Sequence, residues 1–74
     1  MKVRDAMRYA VVIERAPGNY AAYVPDLPGC VATGVTLDET EANIREAIDF
    51  HLHGLAEDGL AVPEPSAVGE YVEA

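Results

Sequence analysis

Cys30-Val-Ala-Thr-Gly-Val-Thr-Leu-Asp-Glu-Thr-Glu-Ala-Asn-Ile-Arg-Glu-Ala-Ile48 is where the chain changes period, and that change decides the fold. Up to Val35 the residues alternate as in a strand; from Leu37 the apolar positions Leu37, Ile44, Ala47, Ile48, Leu52 and Leu55 recur at the three, four and seven spacing of a helix. Thr36-Leu-Asp-Glu39 marks the switch as a capping box, in which the Thr36 hydroxyl accepts from the third helical N–H and Glu39 reaches back. Asp38 and Glu39 lie in the first turn, where the helix dipole favours acids. Gly59, with its easy access to positive φ, closes the helix, and Leu60 folds back on the last turn. The reading is a strand over 30–35 and a helix over 37–58.

Upstream, Tyr9, Val11 and Ile13 occupy one side of a period-2 stretch and Ala10 and Val12 the other. Both faces are apolar, which predicts a strand over 7–15 in the interior of a sheet. Pro17-Gly18 is a turn signal, because Pro presets φ for one turn position and Gly accepts positive φ at the next. A second strand follows over 19–25, ended by Pro25, which removes a ladder donor. Pro25-Asp-Leu-Pro-Gly29 reads as a stiff loop, and Gly34 as a bulge or a close backbone approach. Downstream, Pro63-Glu-Pro-Ser66 reads as an extended linker before a short strand over 67–72, with Val68 and Val72 inward.

These elements predict an α+β domain of βββαβ order. Its four-stranded mixed sheet has spatial order 3-2-1-4, the crossover is right-handed, and the helix packs on one face. One domain spans 1–74, with residues 1–6 a flexible N-terminus. A chain of 74 residues builds a thin core worth about 3–5 kcal/mol. Self-association is the expected supplement.

Charge narrows the function. Residues 1–15 hold four cations against two acids, net +2, whereas the remainder holds eleven acids against Arg45, net −10. Nucleic-acid binding needs clustered Lys and Arg to displace counterions, so this chain alone is expected to bind none. An acidic surface suits a basic protein partner. No apolar run approaches the ~20 residues of a membrane span, and no secretion signal is legible at the N-terminus. With the single Cys30, a cytoplasmic address is expected.

The segments Tyr9-Ala-Val-Val-Ile-Glu14, Tyr23-Val-Pro-Asp-Leu-Pro-Gly-Cys30, Gly34-Val-Thr-Leu-Asp-Glu39, Asn43-Ile-Arg-Glu-Ala-Ile48 and Asp58-Gly-Leu-Ala-Val-Pro-Glu-Pro65 together resemble the HicB-like antitoxin family. The Pro-Asp-Leu-Pro-Gly-Cys segment carries most of that resemblance. It implies a partial ribonuclease-H-like fold without nuclease activity, whose role is to bind and mask a small basic toxin, HicA-like, that cleaves messenger RNA. Many members also carry a C-terminal DNA-binding module. With the sequence closing at Ala74, operon repression by this polypeptide alone is not expected.

Individual residues admit a functional reading and a plainer structural one. Tyr23, Asp26, Leu27 and Pro28 are candidates for partner contact, because a stiff loop loses little entropy on binding; the competing reading of Asp26-Leu-Pro-Gly is a tight turn that only joins strands. Ala10, Val12, Ala21 and Tyr23 form an apolar face away from the helix and are the candidate homo-oligomer interface, most simply of a dimer. Cys30 lacks a partner His in sequence and reads as a buried thiol. His51 and His53, two apart, diverge on a helix, whereas paired metal ligands there need i, i+4. Glu14, Asp26 and Glu70 sit at strand ends or on the last strand, short of the convergent carboxylates that Mg²⁺-dependent phosphoryl chemistry requires. Neither metal, cofactor nor catalysis is expected. The alternative to an antitoxin is a non-catalytic adaptor with another protein partner. A neighbouring reading frame for a small basic protein separates the two.

Overall fold

The computed structural model describes residues 8–73. The reading of residues 1–6, and of Met7 as the start of the first strand, lies outside them. Within them the order is β1 (Val12–Ala16), β2 (Asn19–Tyr23), β3 (Val31–Gly34) and α1 (Leu37–Glu57). The strands form an antiparallel sheet of order β1-β2-β3.

The β1–β2 hairpin turns through Pro17 and Gly18, and Gly18 takes φ 84°, a value for which glycine has no Cβ penalty. Register then runs from Ala16↔Asn19 back to Val12↔Tyr23. β2 stops at Tyr23, and the ladder with β1 accordingly begins at Val12 among the described residues.

Two features of the sheet depart from the sequence reading. β2, not β1, is the central strand among the described residues, and β1 lies at an edge. The expected fourth strand over 67–72, with the four-stranded order 3-2-1-4, is not formed there: residues 60–73 carry no regular structure. The cause is local. Pro63 and Pro65 have no N–H to give, and the N–H groups of Ser66 and Ala67 both donate to the Asp26 carboxylate, at 2.9 and 3.0 Å.

Between β2 and β3 the chain makes two successive turns. Leu27 N–H donates to the Val24 carbonyl at 3.1 Å, and Cys30 N–H to the Leu27 carbonyl at 3.0 Å. Val24 N–H closes the loop on the Cys30 carbonyl at 3.2 Å. The effect is to drive Leu27 inward, where it is fully buried.

Helix α1 starts as the capping box requires, with Glu39 N–H donating to Thr36 Oγ1 at 3.1 Å. The return contact goes one residue further back, from Val35 N–H to Glu39 Oε1 at 2.6 Å. At its other end Leu60 N–H reaches the Leu55 carbonyl and Gly59 N–H the Ala56 carbonyl, a Schellman closure with Gly59 at φ 70°. The helix ends at Glu57, with Asp58 as its cap.

Ala22, Val24, Leu27, Cys30 and Ile44 form the buried core, with Ile13, Ala32, Ala47, Ile48 and Leu52 packed against it. Leu37, placed on the inward stripe by its spacing, is exposed. Thr40 takes the inward position instead: it is fully buried, and its hydroxyl donates to the Thr36 carbonyl at 2.8 Å. It sits so near Gly34 that a Cβ there would lie 2.6 Å from Thr40 N. Gly34 is therefore a close approach of β3 to α1 and not a bulge. Asn43 completes the junction by donating to the Thr33 carbonyl at 2.9 Å.

Candidate functional site

The sheet has one face under α1 and one face open. Pairing of Val12 with Tyr23 and of Tyr23 with Val31 sets these three side chains in one row across the open face. Ala21, opposite Glu14 and Thr33, lies two residues along on the same side. Tyr23 is 42% exposed and Val31 64%, while Ala10, Val12 and Ala21 are half-buried. An apolar row left in water, with Glu14 two residues along on the same face, is a surface suited to a protein partner.

The loop residues divide. Pro28 is exposed at the tip, at the same end of the sheet as Tyr23. Leu27 is wholly inside and has no surface to present. Asp26 is spent within the chain: besides the two backbone contacts, its Oδ1 accepts from the Ser66 hydroxyl at 2.9 Å. The Ala67 and Ser66 backbone N–H groups, then the Ser66 hydroxyl, hold its carboxyl below the usual carboxylate range. Asp26 thus straps the segment after the helix onto the β2–β3 loop.

A second fastening lies nearby, where the Tyr9 hydroxyl donates to the Pro63 carbonyl. Burial chiefly, then the negative charges of Glu64 and Asp26, raise the Tyr9 pKa. Beyond Ala67 the chain leaves the body, with Val68, Tyr71 and Val72 at 82%, 107% and 84% exposure.

On the helix side, α1 lies chiefly over β3 and β2, with β1 toward its margin. A groove of about 500 Å³ remains between them. Tyr9, Val11, Ile13, Ile44 and Ile48 form its floor and walls; Arg8 and Arg45, with Glu41 and Asp49, stand on its rim.

The remaining candidates sit apart. Cys30 is buried in the core, and loss of solvent pushes its thiol pKa up, away from nucleophilic character. His51 is half-buried and His53 exposed, with His53 Nδ1 3.2 Å from the Asp49 carbonyl. Among the described residues no three His, Cys, Asp or Glu side chains gather as a metal set, and no helix is long and apolar enough to cross a membrane.

Sequence reasoning missed Val31, although the alternation of Val31 and Thr33 against Ala32 marks it as facing out. It also missed the strap, because nothing in the spacing joins Asp26 to residues forty positions away.

Comparison with known proteins gives a consistent neighbourhood. Residues 9–74 match the family model described as HicB-like antitoxin of bacterial toxin-antitoxin system. An uncharacterised 14.9 kDa protein of the rep-hol intergenic region in Haemophilus phage HP1 is 39% identical over 66 residues, covering 89% of this chain and 50% of that protein. The chain thus spans half the length of that relative. A UPF0150 protein of Helicobacter pylori is 46% identical over 50 residues, covering 68% of this chain and 69% of the relative. Among solved structures, a chain of a HicA3 and HicB3 toxin-antitoxin complex superposes with a TM-score of 0.70 and 28% identity, covering 81% of this chain and 70% of that one.

Proposed function

This chain belongs to the HicB-like antitoxin family of bacterial toxin–antitoxin systems, and from that premise we propose that it binds and masks a small, basic, messenger-RNA-cleaving toxin of the HicA type. The observation that carries the reading is the superposition on a chain of the HicA3–HicB3 complex, which extends over 81% of this chain. Its action is stoichiometric and not catalytic: the toxin is silenced by being covered, in the cytoplasm where messenger RNA is translated.

The docking surface we assign is the open sheet face around Val12, Tyr23 and Val31, reaching Pro28 at the loop tip. Tyr23 is its anchor. An aromatic ring that is half in water and backed by a rigid central strand gives a large buried area on binding at small entropic cost. Asp26 and Leu27 act indirectly, one by strapping the loop and the other by filling the core beneath it. The acids that dominate the chain after Arg15 supply long-range attraction to a basic partner and speed encounter.

The experiment is co-expression. A toxin-type open reading frame that arrests growth when induced alone should be neutralised by this protein and should copurify with it. Continued arrest, with no complex recovered, would contradict the assignment.

A further inference from the structure

The groove between β1 and α1 and the projecting segment after Ala67 match each other in chemistry, yet within one chain they do not meet. The groove is apolar within, and its rim carries Arg8 and Arg45, two of the three arginines among the described residues, beside Glu41 and Asp49. The segment Ala67-Val-Gly-Glu-Tyr-Val-Glu73 offers Val68 and Val72 on one side of an extended strand, with Glu70 between them. Those valines stand in solvent. Two fastenings, Tyr9 on Pro63 and Asp26 on Ser66 and Ala67, hold the chain just before them and send the segment off its own body.

We propose that this segment adds as a strand along the free edge of β1 in a second copy, reciprocally, forming a two-fold dimer by strand exchange. Val68 and Val72 enter the partner copy's groove over Val11, Ile13 and Ile48, and Glu70 meets the arginines on its rim. Tyr71, on the other side of the strand, extends the open-face row beyond Val12. Exchange answers three features seen among the described residues: a sheet edge that none of them pairs, where natural sheets cover or pair their edges, an apolar groove that none of them fills, and exposed apolar side chains on a strand-patterned arm. It also supplies the added burial that a core of five buried apolar residues among those described calls for. The open face stays free, so the dimer sequence reasoning expected through Ala10, Val12, Ala21 and Tyr23 is assigned to the groove instead.

Light scattering on the full chain at tens of micromolar should give twice the 7.9 kDa chain mass. The double variant Val68→Asp/Val72→Asp changes only side chains that are exposed in a single copy, so it should keep the helical signal. It should weaken the dimer about 100-fold or more, since the two-fold removes each valine twice. Chains carrying Val72→Cys, mixed with chains carrying Val11→Cys and oxidised, should give a two-chain band on a non-reducing gel. A single-chain mass for the wild type would overturn the proposal, as would a dimer indifferent to the valine changes. Strand exchange is equally ruled out if the mixed cysteine variants fail to crosslink, or if Val11→Cys and Val72→Cys in one chain close only within that chain.

Discussion

β3 and β1 border the same central strand, yet they live in different surroundings. β3 is pressed against α1 closely enough that Gly34 has no room for a Cβ beside Thr40, and Asn43 ties the helix back to Thr33. β1 has a groove between it and the helix and, among the described residues, an edge that no strand pairs. The difference teaches a division of labour. In a domain of this size, stability is gathered on one side, where contacts are local in sequence, and the other side is left with apolar surface. The proposed function gains from this arrangement, since the surfaces exposed are not the ones that hold the chain together.

The comparison breaks most visibly if the closed side is opened. Leu27→Ala removes a fully buried side chain, and such truncations cost about 2–5 kcal/mol, a range that reaches the whole stability available to so small a domain. Urea denaturation should show the folded baseline lost or nearly so. A midpoint close to wild type would mean that Leu27 is not the keystone of its loop.

Gly34→Ala comes next. Its methyl would lie 2.5 Å from Thr40 Oγ1 and 2.6 Å from Thr40 N, so backbone must move; overpacking of this kind costs about 1–3 kcal/mol. The companion change Thr40→Ala should not restore full stability, because the Thr40 main chain is part of the collision. Complete recovery in the double variant would assign the closeness to the hydroxyl alone.

Thr36→Ala takes away the acceptor for Glu39 N–H and should lower stability by about 1 kcal/mol with an unchanged denaturant slope. On the open face of the sheet, Val31→Ser alters a side chain 64% in solvent and should shift stability by no more than about 0.5 kcal/mol. A loss from Val31→Ser equal to that from Thr36→Ala would erase the distinction between the open face and the helix junction behind it.

The strap responds to acid, and its sign follows from the direction of the shift. The folded Asp26 pKa lies below its ordinary value, so its contribution is complete above that ordinary value and is lost as pH falls through the lower, folded one. Amide resonances of Ser66 and Ala67 should move together in acid, with a midpoint below the usual carboxylate range, and stay constant near neutrality. Independent movement of the two amides would separate them from a common carboxylate.

Most of the closed side was legible in the sequence. The change of period at Val35, the Thr36 cap and the Gly59 stop are local rules, written within four or five residues of where they act. The open side was not. Both faces of the first strand are apolar, and that composition suits a central strand as well as an edge strand whose second neighbour comes from another molecule. The extended reading of residues 67–72 rested on alternation, which reports the shape of a strand and not what it pairs with. The Asp26 strap and the fully buried Thr40 escaped because each depends on contacts made only once the helix and the returning chain are in place. Of the residues put forward for partner contact, burial separates Tyr23 and Pro28, which face out, from Leu27, which does not.

The central claim is that the open face around Tyr23 receives a basic toxin, and calorimetric titration with a HicA-type toxin tests it most directly. Wild type and Thr36→Ala should bind alike at temperatures where both are folded, whereas Tyr23→Glu should weaken binding about 30-fold or more with its melting temperature little changed, as expected for an aromatic anchor at an interface. Equal affinity for wild type and Tyr23→Glu would contradict the account.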